Sequence, residues 1–135
     1  MSALAEERAR IHRAFVETGR PPESSPLWPA LADAKWIVLD DAGRLRMAHP
    51  FSAVETDFVV TAGARRWFAN CAWDALAVMT MVRSIVTGTL VFDTHCGATG
   101  KPMRIEANGN GPSPSEARLH FAVPIRDWWK DIAFT

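Results

Sequence analysis

An α+β fold is predicted by three features of the sequence. Residues 3–18 repeat apolar side chains at helical spacing, later stretches break into short β-prone runs separated by turn residues, and one long apolar, helix-like stretch lies between those runs. The 135 residues, 48% hydrophobic and 22% charged, suit one hydrophobic core. A chain of this length buries about two-thirds of its unfolded surface.

Taken in order, residues 3–18 place Leu4, Ile11, Ala14, Phe15 and Thr18 near one stripe with Glu and Arg elsewhere, and Gly19 follows as a stop. Residues 20–26 are a Pro- and Ser-rich connector. Leu27, Trp28, Leu31 and Ala32 then predict a short second helix ending near Lys35. Trp36–Leu39 and Leu45–Ala48 flank Asp40–Gly43 and read as a β-hairpin. Two helices followed by a hairpin suggest a winged-helix-like layout over residues 1–50.

Phe58–Val60 is expected to be a strand, Ala62–Ala64 a turn, and Arg66–Val82 a helix carrying Trp67, Cys71, Asp74, Ala75 and Val78 on neighbouring turns. Thr89–Phe92 and Met103–Glu106 read as strands around a Gly97–Gly100 turn. Asn108–Ser115 reads as a polar loop, Leu119–Val123 as a strand, and Ile132–Phe134 as the beginning of another.

Fifteen Lys and Arg balance fifteen Asp and Glu, which removes the electrostatic term that non-specific nucleic-acid or anionic-membrane binding mostly uses. The second helix offers Trp28, Pro29 and Asp33 where a DNA-reading helix needs basic and amide side chains, so no nucleic-acid partner is expected. No run approaches the roughly eighteen apolar residues of a membrane span, and the N-terminal stretch is charged and amphipathic, unlike a signal peptide. No membrane association and a cytoplasmic location are expected. No feature of the sequence sets an oligomeric state.

Two cysteines, Cys71 and Cys96, are too few for a disulfide framework and are expected as thiols. Cys71 and Asp74 stand three residues apart, which on a helix brings a soft nucleophile and a proton donor to one face. A core cysteine beside a solvated aspartate satisfies the same spacing. The apolar surroundings of Asp74, with Trp67, Trp73 and Leu76 nearby, favour the chemical reading. Desolvation and a neighbouring thiolate would raise the Asp74 pKa and keep part of it protonated. Arg65 and Arg66 would favour the thiolate if they face it. Trp67, Trp73, Trp128 and Trp129 are candidate walls of an apolar pocket or ordinary core residues.

Three segments together resemble the alkylmercury lyase (organomercurial lyase, MerB-like) family: His49-Pro50-Phe51-Ser52-Ala53, the run Trp67-Phe68-Ala69-Asn70-Cys71-Ala72-Trp73-Asp74-Ala75-Leu76, and His95-Cys96-Gly97-Ala98-Thr99-Gly100-Lys101-Pro102. The resemblance implies a degenerate winged-helix-like region, residues 1–50, packed on a mixed helix and sheet core, residues 51–135. It implies protonolytic cleavage of a carbon–mercury bond, with Cys71 as the mercury-binding nucleophile and Asp74 relaying the proton to carbon. Both are thereby the candidate catalytic residues and the candidate metal ligands. Thiolate is the preferred ligand type for so soft an ion. No cofactor is required; Hg(II) is substrate and product metal, and a thiol co-substrate is expected.

Cys96 resembles a third family cysteine with a mainly structural part, expected as a buried thiol beside the turn; His95 and His49 receive no role. The family uses a second nucleophilic cysteine near the C-terminal end of its core, and residues 128–135 contain none. Three readings stay open. The sequence stops before that cysteine or before a UGA codon read as selenocysteine, it is a degenerate relative, or Cys96 substitutes. The first is preferred because the chain ends inside a β-prone run. The expected function is thus alkylmercury lyase-like, with a small organometallic or soft-metal ligand as partner. The alternative is a non-catalytic soft-metal (Hg or Cu) binding or delivery protein.

Overall fold

The computed structural model describes residues 1–109, 111–113, 116–121 and 123–130. The first helix, α1 (Ala3–Thr18), begins where the Ser2 hydroxyl accepts from the Ala5 N–H at 3.2 Å. It ends at Gly19, whose left-handed φ of 73° lets its N–H reach the Phe15 carbonyl at 2.7 Å. A Cβ on Gly19 would stand 2.6 Å from the Arg66 carbonyl oxygen, so no other residue fits this crossing. α1 buries Ile11 and Phe15. Glu7, also buried, accepts from the Trp28 indole at 2.9 Å and from Arg10 at 2.7 Å, which ties α1 to α2 (Trp28–Asp33).

The expected hairpin forms as β1 (Val38–Leu39) and β2 (Leu45–Ala48), and β3 (Phe51–Ser52) completes a three-stranded antiparallel sheet in the order β1-β2-β3. A second antiparallel sheet contains β4 (Val59–Ala62), β5 (Arg65–Phe68), β6 (Leu90–His95), β7 (Pro102–Asn108) and β8 (Gly111–Pro112), in the order β5-β4-β6-β7-β8. Helix α3 (Ala72–Val82) packs on β4 and β6 and buries Ala75, Val78, Met79 and Val82. Helices with antiparallel sheets make the fold α+β, as expected. The core draws on α1, α2, both sheets and α3 without a break, and an isolated bridge between Phe51 and Ala69 joins the sheets.

Three expectations are corrected. The helix expected over Arg66–Val82 is a strand followed by a shorter helix. Gly63 and Ala64 form a two-residue hairpin loop between the paired Ala62 and Arg65, and Gly63 has φ of 58°. Such a Gly-X loop matches strand twist and returns the chain as β5, where Trp67 faces the core and Arg65 and Arg66 are exposed. Within the expected 108–115 loop, β8 pairs with the end of β7 through Asn108 and Gly111. Leu119–Phe121 and Val123 belong to no strand; Ala122 and the expected strand at Ile132–Phe134 lie outside the described residues. No helix among the described residues is long and apolar enough to cross a membrane.

Candidate active site

Helix α3 starts one residue after Cys71, and this decides how the cysteine and aspartate meet. Cys71 is the N-cap, with extended φ and ψ of −154° and 179°, and its Sγ accepts from the Asp74 N–H at 3.4 Å. The spacing of three is thus that of a cap and the third helical residue, the pattern Ser and Thr use at helix starts, here with sulfur as the acceptor. Both side chains face one spot because of that cap.

Opposing influences act on the Cys71 thiol. Burial pushes its pKa up, and the adjacent Asp74 carboxylate, which also hydrogen-bonds the thiol, pushes it up further. Hydrogen bonds from the Asp74 and Trp73 amides at the helix start act the other way without prevailing. Burial and the neighbouring Asp74 together thus disfavour the thiolate at Cys71. The expectation that Arg65 and Arg66 favour the thiolate is corrected by their place on β5. Arg65 donates to the Glu17 carbonyl at 2.8 Å and stacks on Trp67, Arg66 lies over Phe68, and neither is among the groups acting on Cys71.

Asp74 is 15% exposed and is gripped from the other side. The Asn70 Nδ2 donates to Asp74 Oδ2, to the Pro50 carbonyl and to the Phe51 carbonyl, each at 3.2 Å. His49 Nδ1 stands 3.5 Å from Asp74 Oδ2 and 3.4 Å from Asn70 Nδ2. The His49 carbonyl contacts His12 Nε2 of α1 at 2.9 Å, and its ring meets the edge of Trp129 with centroids 5.8 Å apart. Neither His49 nor Asn70 is assigned by the sequence. The available signal was their presence in two of the segments that carry the family resemblance.

The tryptophans divide. Trp67 is a core residue, 1% exposed, with its Nε1 donating to the carbonyls of Phe15 and Val16 at 3.0 and 3.1 Å. Trp73 is exposed and meets the Phe121 ring edge-on at 6.3 Å, while Phe121 tilts against Trp128 at 5.6 Å. An apolar cavity of about 800 Å³ is lined by Ala72 and Leu76 of α3, Phe92, Ile105, Leu119 and Cys96. It therefore borders the helical turn that begins at Cys71.

Cys96 departs from the expected buried thiol. It is only partly buried in the β6–β7 turn, where the Thr99 hydroxyl and the Ala98 and Thr99 amides donate toward its sulfur, and these bonds lower its pKa. Its neighbour His95 is exposed at the end of β6. Among the described residues, no group of three or more His, Cys, Asp and Glu is gathered to hold a metal ion. The Cys71–Asp74 pair sets one sulfur and one carboxyl group side by side at the start of α3.

Comparison with known proteins bears on this site. A profile described as MerB, alkylmercury lyase, matches residues 51–135. The crystal structure of the mercury-bound form of MerB2 shares the fold, with a TM-score of 0.60 and 20% sequence identity over 82% of this chain. The aligned part is 60% of that chain, so this chain spans less than two-thirds of the length of that relative. No curated protein matches the sequence. The family match begins at β3 and takes in Asn70, Cys71, Asp74 and the Cys96 turn, and the chain belongs to the alkylmercury lyase family.

Proposed function

We propose that this protein cleaves a carbon–mercury bond by protonation, with Cys71 and Asp74 as its catalytic pair. The observation that carries the reading is the Cys71 cap of α3, whose sulfur takes the Asp74 N–H and so stands beside the sheltered Asp74 side chain, next to an apolar cavity.

In excess thiol the organomercurial exchanges its original counter-ligand for a small-molecule thiolate, and that thiolate stays on the metal as one sulfur. The Cys71 sulfur bonds to mercury as the second, as the thiol proton passes to Asp74. Sulfur donation weakens the carbon–mercury bond, whose electron pair leaves with carbon. Asp74 returns its proton to that carbon, which releases a hydrocarbon and leaves Hg(II) between two thiolates for the soluble thiol to remove. No cofactor takes part. The cavity beside Ala72 and Leu76 suits the alkyl or aryl group, and the ligand is a small organometal with neither nucleic acid nor membrane involved. On this reading α1, α2 and β1–β3 act as a degenerate winged-helix-like support over residues 1–50 for the core over residues 51–135, in a cytoplasmic protein where free thiols are at hand.

The test is benzene release from phenylmercuric acetate in the presence of excess thiol, measured in the headspace. The unmodified chain releases benzene, Cys71→Ser abolishes release, and Asp74→Ala slows it by about 10²–10⁴-fold, the usual worth of a positioned acid. Uptake of mercury without benzene would overturn the lyase reading in favour of soft-metal binding.

A further inference from the structure

We propose that Asn70 is a positioning residue for the Asp74 acid, a role that rests on the reaction proposed above. Its carboxamide nitrogen faces three oxygen acceptors, the Pro50 and Phe51 carbonyls and Asp74 Oδ2, with His49 Nδ1 also within 3.4 Å. That environment fixes the amide orientation, since the carboxamide oxygen turned inward would face two carbonyls and a carboxylate.

The consequence lies in the freedom of Asp74. An aspartate on the first turn of a helix ordinarily swings toward solvent or back to the cap backbone. Here one amide group spans the carboxylate and the backbone at β3, so the carboxyl is anchored to the sheet as well as to its own helix. With Oδ2 committed to Asn70, Oδ1 is the oxygen left for the thiol proton and the departing carbon. In this role Asn70 acts on the reaction only through where it holds Asp74. Proton transfer tolerates little misplacement, and about 1 Å of drift costs about 10²-fold in rate.

The experiment uses phenylmercuric acetate with excess thiol and the variants Asn70→Ala, Asn70→Ser, Asp74→Ala and Asn70→Ser with Asp74→Ala, each assayed below its measured melting temperature. Asn70→Ser covers the case in which Asn70→Ala fails to fold, because a serine hydroxyl can still satisfy a β3 carbonyl but cannot also span to Asp74. The expected result is a fall in kcat of about 10–100-fold with KM changed by less than about threefold. In the Asp74→Ala background, Asn70→Ser should cost less than about twofold more, because a positioning residue has nothing left to position. An active wild type with undiminished kcat in Asn70→Ser, or full additivity of the two losses, overturns the role of Asn70 alone. A wild type that releases no benzene overturns the reaction and this role together.

Discussion

The two thiols of this chain are distinguished by what touches each sulfur. Cys71 is half-buried against a carboxylate, and its pKa is raised; Cys96 receives a hydroxyl and two amide donors, and its pKa is lowered. Only the thiolate attacks an alkylating reagent. At neutral pH Cys96 is therefore expected to react with iodoacetamide before Cys71. The rate at Cys96 should level off below the pH of an ordinary thiol, and the rate at Cys71 should still be climbing above it. Peptide mass spectrometry over a pH series reads both curves, and faster labelling of Cys71 at pH 7 would contradict this division of forces between the two sulfurs. Asp74→Ala should bring the Cys71 curve to lower pH, because one of the groups that raises it is gone.

At the scale of elements, the join between α1 and α2 depends on one carboxylate. Glu7 is 8% exposed and accepts from Arg10 and from the Trp28 indole, the Arg10 hydrogen bond being the main reason that its pKa lies below the ordinary 4.5. With the folded value depressed, the unfolded chain binds more protons through the acid range, so stability increases with pH there. The contribution is complete above pH 4.5 and is lost as pH falls through the lowered folded value. Glu7→Gln is expected to cost about 1–3 kcal/mol near neutrality and to flatten the acid limb of the stability curve, as followed by urea titration at several pH values. An equal loss at pH 3 and pH 7 would show that packing, and not the charge, carries the effect.

For the whole molecule, the continuous core joins α1, α2 and the first sheet to α3 and the second sheet. Phe51 is fully buried, stacks on Phe15 of α1 with ring centroids 5.1 Å apart, and bridges to Ala69 at the end of the second sheet. We propose that the two regions unfold as one cooperative unit. Phe51→Ala should cost about 3–5 kcal/mol. Far-UV circular dichroism and tryptophan fluorescence should report one coincident transition in both the parent and the variant. Separate midpoints for the two probes would mean that the regions stand independently.

Much of this protein follows from local pattern. The α+β class, α1 with its glycine stop, the first hairpin and the β6–β7 pair were legible because periodicity and turn chemistry act over a few residues. Cys71 and Asp74 were legible as a pair because their spacing is local, and the family resemblance suggested the chemistry proposed for them. Other features depended on contacts distant in sequence. Trp67 became a core strand residue through pairing with β4 and hydrogen bonds to α1, which overrode the helical look of its neighbours. Asn70 and His49 acquired meaning when the turn between β2 and β3 folded against the start of α3, bringing residues twenty-one apart within 3.4 Å. Cys96 gained the donors that lower its pKa through the closing of its turn by Lys101 and Gly100. Sequence pattern determines which segments bend, pair or coil, but the desolvation and hydrogen bonding that set a side chain's chemistry arise from the neighbours that packing brings to it.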